Sequence, residues 1–256
     1  MGAISGKLKQ WVSEVQEFTF LSARATGAIF TRPRFMNEIF LQMDAMGVGS
    51  LNIVVLTGLF TGMVLALQTA LSLETFGAKN YVGRVVSLSM VRELGPVLTA
   101  LMVAGRVGSG IAAELGSMIV TDQINAMRAM GSDPLRKLVV PRLIAGIVMV
   151  PMLTVLSDTV GLIGGWLISL ILLKIPGGLY FQSAIDALAL ADIVGGGIIK
   201  PIAFGFIIAM VGCYLGLTTT GGTQGVGRAT TQSVVVCSVM ILGSDFLLTR
   251  VFFAIF

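Results

Sequence analysis

Apolar residues along the chain form five long segments, and the shorter stretches between them hold most of the polar and charged positions. A bilayer core of about 30 Å requires about 20 apolar residues of helix for each crossing, and all five segments reach that length. The predicted spans are residues 48–70, 81–113, 141–173, 188–217 and 230–256. The pattern therefore predicts an all-α integral membrane protein in which residues 45–256 form one membrane domain.

Residues 1–44 follow a different pattern, because apolar side chains recur there at the spacing of one helix face. The apolar positions are Ile4, Leu8, Trp11, Val12, Val15 and Phe18, and the polar positions between them are Lys7, Lys9, Ser13, Glu14 and Glu17. An amphipathic helix of this kind lies along a membrane surface. We predict an interfacial N-terminal helix that is not cleaved, since no apolar signal-peptide core precedes the first span.

Lysine and arginine residues predict the orientation, because short cytoplasmic segments retain positive charge. With the N-terminus in the cytoplasm, ten of these residues fall on the cytoplasmic side and three on the other. The cytoplasmic set is Lys7, Lys9, Arg24, Arg32, Arg34, Arg128, Arg136, Lys137, Arg142 and Arg228, and the opposite set is Lys79, Arg84 and Lys174. Five crossings then place Phe256 near the outer face.

Composition argues against several classes of function. Only 12% of the 256 residues are charged, and the sequence contains no histidine, which zinc sites and general-base catalysis use most often. Cys213 and Cys237 lie in apolar segments, where cysteine behaves as a small hydrophobic residue. The glycine-rich run 222–227 lacks the Lys and Ser/Thr of a phosphate-binding loop, and no basic, aromatic surface suits nucleic acid. We expect no catalytic residue, metal site or cofactor in this chain.

Residues 114–142, between the second and third spans, are longer and more structured in pattern than a simple connector. Apolar side chains recur there at the spacing of short amphipathic helices, at Met118, Ile119, Ile124, Met127 and Met130. Asp122 can start one such helix, Gly131 can end it, and Asp133-Pro134 is typical of a turn before the next. The segment either packs under its own spans or docks on a cytoplasmic partner.

Charged residues also occur inside the predicted spans, where they are costly and often functional. Counted from the cytoplasmic span ends at 1.5 Å per residue, five of them lie roughly 20 to 25 Å above the inner boundary. These are Arg92, Glu93, Asp158, Lys200 and Asp245. We predict a belt of charges that either pairs helices together or lines a polar cavity. Asp158 and Arg250 are expected close enough to the outer interface to meet water.

Several stretches resemble the MlaE/YrbE permeases, the membrane subunits of bacterial ABC systems that move lipids together with an MCE-domain protein. They read VRELGPVLTALMVAGRVGSGIAAELGSM, TDQINAMRAMGSDPLRKLVVPRL and, near the last helix, GVGRATTQSVV and LGSDFLLT. The resemblance covers about residues 45–250. Asp122 stands where the family usually has Glu, and Asn125 stands where the family often has Asp.

The resemblance implies a permease that moves phospholipid between the bacterial inner membrane and a periplasmic MCE protein, contributing to lipid asymmetry of the outer membrane. It also implies a homodimer over two cytoplasmic ATPases, which bind ATP and magnesium, and in some systems a STAS-domain protein on the ATPase. The chain itself is then not an enzyme, and its C-terminus lies on the periplasmic side.

Two sets of residues match functional positions of the family. The lipid-cavity set is Arg92, Glu93, Leu94, Lys200 and Asp245, and the ATPase-coupling set is Glu114, Asp122, Met127, Arg128, Met130 and Asp133. In this interpretation, ATP binding and hydrolysis in the partner move the coupling segment, and the bundle squeezes or opens its cavity.

Two other functions also fit the residues. The run NAMRAMG, ten residues before Pro141, resembles the docking motif of ABC importers for small polar solutes. A membrane anchor that recruits a cytoplasmic partner without transporting anything would need the same segment.

Overall fold

The computed structural model describes the backbone of residues 2–29 and 35–255 and the side chains of residues 12–29, 35–252 and 254. Within these residues the chain forms eight helices and no strand, which confirms the predicted all-α class. The helices are α1 (Gly2–Ile29), α2 (Met36–Glu74), α3 (Lys79–Val120), α4 (Gln123–Ala129), α5 (Leu135–Ile171), α6 (Gly177–Ile185), α7 (Leu190–Leu217) and α8 (Gly222–Ile255).

Five of the described helices, α2, α3, α5, α7 and α8, are long and apolar enough to cross a membrane. Their number agrees with the number of apolar segments in the sequence. The helices that begin furthest ahead of their predicted spans are α2, at Met36, and α8, at Gly222. A helix satisfies its backbone hydrogen bonds in water as well as in lipid, so it continues past the apolar region until a turn ends it. Gly77, at φ +67°, lies in the turn that follows α2.

Four π-helical turns lie within the described spanning helices, one of them at the start of α5, and three of the four directly precede a dipeptide that ends in proline. The three turns are Met90–Leu94 before Gly95-Pro96, Leu135–Val139 before Val140-Pro141, and Gly195–Ile199 before Lys200-Pro201. Proline has no N–H, and its ring clashes with the carbonyl four residues earlier. A widened turn relieves that clash and leaves carbonyl oxygens without their usual helical donor.

Glycines allow the spanning helices to pack backbone against backbone. A methyl group at Gly62 of α2 would overlap the carbonyl oxygen of Gly161 on α5. A methyl group at Gly205 of α7 would likewise overlap the carbonyl oxygen of Gly146 on α5. Small residues at such crossings let dispersion contacts form along the whole helix pair. Gly62 and Gly205 are therefore used for packing within the chain.

Part of α1 packs against α5 and α7. The contact lies at the end of the bundle for which the charge distribution predicts a cytoplasmic location. The ring of Phe18 makes an edge-on contact with Tyr214 of α7, with centroids 5.6 Å apart, and Ala25 is fully buried. Val12 and Val15, on the predicted membrane-facing side, are exposed. Some predictions concern positions or side chains that lie outside the described ones, namely Ile4, Lys7, Leu8, Lys9, Trp11, Arg32, Arg34 and Phe256.

We predict that Gly62→Ala destabilises the fold, because the added methyl group forces α2 and α5 apart. Overpacking of this kind costs about 1–3 kcal/mol. The measurement is the midpoint of thermal unfolding in detergent. Gly110→Ala in α3 is the control, since no atom outside its own helix lies within 4 Å of the added methyl group. Equal midpoints for the two variants would contradict the packing account.

Candidate functional site

Two π-helical turns pack against each other and bring α3 and α7 into backbone contact. Gly196, in the turn of α7, packs against the carbonyl oxygen of Val91 in the turn of α3, and its missing side chain leaves room for that contact. Arg92 and Glu93 belong to the turn of α3, and Lys200 follows the turn of α7 directly. The contact at Gly196 thereby places these three charged residues side by side.

Lys200 is the centre of the resulting cluster. Its side chain is only 3% exposed. The ammonium group donates hydrogen bonds to Glu93 Oε2 at 2.9 Å and to the carbonyl oxygen of Arg92 at 2.8 Å. That carbonyl is available because Pro96, four residues later, has no N–H to donate to it. Lys200 Nζ also lies 2.9 Å from Asp245 Oδ1, an ion pair whose angle is unfavourable for a hydrogen bond.

Helix α8 contributes a second residue to this cluster. Thr249 Oγ1 donates a hydrogen bond of 3.0 Å to Glu93 Oε1, the oxygen that Lys200 leaves free. Asp245 and Thr249 are four residues apart, so they lie on the same helix face. Through these two side chains α8 is attached to both α3 and α7.

Arg92 forms a separate ion pair beside the Lys200 cluster. Its Nε donates to Asp192 Oδ1 at 2.7 Å, and Asp192 Oδ2 accepts a hydrogen bond from the backbone N–H of Ala189 at 3.1 Å. Asp192 is thus fixed at the start of α7 and orients the guanidinium group. Among the described residues the two terminal guanidinium nitrogens have no hydrogen-bond partner, and the side chain is 42% exposed.

The ion pairs border an open cavity of about 250 Å³. Its polar wall consists of Arg92, Glu93, Asp192, Lys200 and Thr249, and its remaining wall consists of Ala189, Ala191, Gly195, Gly196 and Phe252. Cavities that enclose drug-sized molecules have volumes of about 300–1,000 Å³. This cavity therefore has room for a small polar group, and a molecule with two acyl chains has to extend beyond it.

Two members of the predicted cavity set lie elsewhere. Asp245 contacts Lys200 but does not border the cavity. Leu94 faces α2 and lines a shallower, mainly apolar depression together with Phe60, Val64 and Gln68. The structure thus brings Arg92, Glu93, Lys200 and Asp245 together and places Leu94 on the neighbouring surface.

The predicted coupling segment contains the short helix α4. Asp122 occupies its N-cap position with φ +58°, but its carboxylate accepts a hydrogen bond from the Asn125 side chain at 2.9 Å instead of capping the backbone. Gly131, at φ +75°, follows the end of the helix as the sequence predicts. Ile124 is fully buried in the chain itself, so it is not available to a partner.

The remaining residues of the predicted coupling set differ in exposure. Met130 is 77% exposed, Arg128 is exposed and Met127 is half-buried. Asp133 Oδ1 accepts a hydrogen bond from the backbone N–H of Leu135, which begins the next helix. Glu114 pairs with the buried Arg142 at 2.7 Å, and this pair joins the two ends of the segment.

The arrangement suits binding rather than catalysis. In residues 2–29 and 35–255 no group of three or more Cys, Asp or Glu side chains is placed to hold a metal ion. Both cysteines are buried in the bundle. Guanidinium nitrogens beside a cavity are donors for an anionic group such as a phosphate.

The sequence of this bundle is shared with known transport proteins. Residues 39–251 match the family described as Permease MlaE. This chain belongs to the MlaE permease family. The permease is 39% identical over 253 residues to a probable ABC transporter permease protein of Rickettsia conorii, which covers 99% of this chain and 97% of that protein.

Two further relatives have more specific names. The permease is 36% identical to the intermembrane phospholipid transport system permease protein MlaE of Haemophilus influenzae, over 89% of this chain and 88% of that protein. It is 41% identical to the chloroplastic protein TRIGALACTOSYLDIACYLGLYCEROL 1 of Arabidopsis thaliana, over 83% of this chain and 60% of that protein. The chain is thus a permease subunit of an ABC transporter, and this family is not catalytic.

Sequence reasoning missed two residues of the permease's ion-pair cluster, Asp192 and Thr249. Asp192 lies two helical turns before Lys200, inside the predicted fourth span, so its charge could have been counted with the others. Thr249 lies one turn after Asp245 on the same helix face. Neither was identified because only charged residues deep in the spans were considered.

The sequence predicted that Asp158 meets water near the outer interface, and the contact with water was predicted wrongly. Its side chain is buried, with 6% exposure, in the contact between α5 and α3. Counting residues along a helix estimates height but does not say which face of the helix a side chain occupies.

We predict that Lys200→Met destabilises the permease by about 3 kcal/mol, because Glu93 and Asp245 lose their shared cation. The triple variant K200M/E93Q/D245N removes all three charges and should recover most of the loss. Thermal unfolding in detergent compares the variants with the wild type. A triple variant as unstable as K200M would show that charge balance is not what Lys200 provides.

Proposed function

We propose that this chain is the membrane-spanning subunit of an ABC transporter that moves phospholipid between the bacterial inner membrane and a periplasmic MCE-domain protein. The observation that carries the proposal is the free edge of the Arg92 guanidinium at the cavity. Lys200 is engaged by two carboxylates and a carbonyl, whereas the terminal nitrogens of Arg92 remain available. A guanidinium group binds a phosphate with two parallel hydrogen bonds. The name of the Haemophilus relative supports phospholipid as the ligand.

The small volume of the cavity supports a homodimer. A cavity of about 250 Å³ takes a head group, so the acyl chains require further apolar surface. Helix α8 exposes Val235, Val239, Leu242 and Phe246. A second copy packed near α8 extends the cavity with apolar walls, and each buried CH₂ of the lipid then contributes about 0.8 kcal/mol.

The cytoplasmic side docks a separate ATPase, which binds ATP and magnesium. In this proposal Met130 and Met127 enter an apolar groove of the ATPase, and Asp122, Arg128 and Asp133 fix their register. The Glu114–Arg142 pair supports this role because it joins the ends of α3 and α5 at the base of the coupling segment. A push on α4 therefore reaches both helices, of which α3 carries Arg92 and Glu93.

The remaining parts of the assembly follow from the same proposal. Residues 1–44 form an interfacial helical region at the cytoplasmic face, and residues 45–256 form the permease domain. The N-terminus is cytoplasmic by the charge distribution, and the C-terminus is periplasmic. A STAS-domain protein binds the ATPase in some such systems. The chain itself needs no cofactor, and its transport contributes to lipid asymmetry of the outer membrane.

Arg92→Gln tests the phosphate contact. Losing a charge-assisted pair of hydrogen bonds costs about 1.5–3 kcal/mol, so phospholipid transfer by the reconstituted transporter should fall about tenfold to a hundredfold. Arg84→Gln, an exposed arginine on the same helix, is the matched control. Transfer by R92Q at the wild-type rate would contradict the proposal, and so would mass spectrometry that finds no phospholipid with the purified complex. Either result would favour a permease for a small polar solute or a membrane anchor that transports nothing.

Met130→Asp tests the docking of α4. A carboxylate in an apolar groove is unfavourable, so the ATPase should no longer co-purify with the permease. Met36→Asp, which also changes an exposed methionine at the same end of the bundle, should retain it. Full ATPase stoichiometry with M130D would rule out the proposed docking surface.

A further inference from the structure

Asp158 is the one acidic side chain in the described membrane-spanning segments that is nine-tenths buried and has no ion-pair partner there. Its Oδ1 has no hydrogen-bond partner among the described residues. The oxygen occupies the space beside Gly95 of α3, where any side chain would overlap it. The absence of a side chain at Gly95 is therefore what admits the carboxyl group.

No cation from the surrounding elements compensates Asp158. Helix α2 has no charged residue between Asp44 and Glu74. The charged residues of the other neighbouring helices are Lys79, Arg84, Arg92, Glu93, Arg106 and Glu114 on α3, Arg136, Lys137 and Arg142 on α5, and Asp192 and Lys200 on α7. Arg92, Arg142 and Lys200 are held by other carboxylates. The side chains of Arg84 and Arg106 are exposed.

A second buried polar group, on the facing helix, is also without a partner. Thr99 lies four residues after Gly95, on the same face of α3, and its buried hydroxyl has no hydrogen-bond partner among the described residues. A buried carboxylate that lacks both a cation and hydrogen-bond donors is highly unfavourable, and such a group binds a proton instead. The neutral acid and the small Gly95 together permit the close contact of α3 with α5.

We infer that Asp158 is a proton-binding site that is occupied in this packing of α3 against α5. It releases its proton only when the two helices separate at Gly95: the O–H bond breaks, its electron pair stays on the carboxylate, and water takes the proton. Gly95 directly follows the π-helical turn that carries Arg92 and Glu93, so the separation also displaces the cavity wall. Raising the pH then favours the separated state, because that state binds fewer protons.

The proton itself is measured by infrared difference spectroscopy of the full transporter in lipid, comparing the wild type with Asp158→Asn. We expect the carbonyl stretching band of a protonated carboxylic acid that shifts in D₂O and is absent from D158N. Asp186→Asn, at an exposed carboxylate outside the spans, is the control and should change only carboxylate bands. If D158N likewise removes only carboxylate bands, Asp158 is ionised and the inference is overturned.

The effect of Asp158 on transport is measured as phospholipid transfer across a pH series. This measurement rests on the proposed function, whereas the infrared measurement does not. Wild type and D186N should share a pH-dependent limb that D158N lacks. An unchanged pH profile in D158N would overturn the coupling to the cavity. Asp158→Val is a second neutral variant. We expect D158N and D158V both to be produced as folded protein. Loss of folding in both variants would show that the negative charge is required and would overturn the inference.

Discussion

The buried ammonium group of Lys200 is the interaction on which the arrangement of this bundle depends. It donates hydrogen bonds to the Arg92 carbonyl that Pro96 leaves without a donor and to Glu93 on α3, and it forms an ion pair with Asp245 on α8. Three spanning helices therefore meet at one cation. An unpaired charge at membrane depth is strongly unfavourable, so the helices are held in the one register that satisfies all of these groups. Arg92 is thereby left with its terminal nitrogens at the cavity.

The parts of the structure that follow from elementary rules could be predicted from the sequence. Five apolar segments of sufficient length predict five spanning helices, because each crossing must bury about 20 apolar residues. The rise per residue placed Glu93, Lys200 and Asp245 at one height, and they contact one another. The ends of α4 were also predictable, since Gly131 has the positive φ that a helix end at glycine requires.

The remaining features depend on which direction a side chain faces, which spacing alone does not determine. Asp158 has nearly the same predicted height as Asp245 but lies on the other side of α3, behind Gly95. Asp192 and Thr249 complete the ion pairs through contacts between helices that are distant in the chain. The π-helical turns could have been suspected from Pro96, Pro141 and Pro201, but the contact at Gly196 follows only from the packing of α3 on α7.

In the proposed function, Arg92 is a phosphate ligand in a cavity that two copies of the chain share. The most direct measurement is a density map of the complete transporter in a lipid nanodisc. We expect a lipid phosphate against the Arg92 guanidinium, with acyl chains running between the two permeases. A map in which the two Arg92 side chains face the surrounding bilayer on opposite sides of the complex, or in which side chains fill the space between the copies, would contradict it.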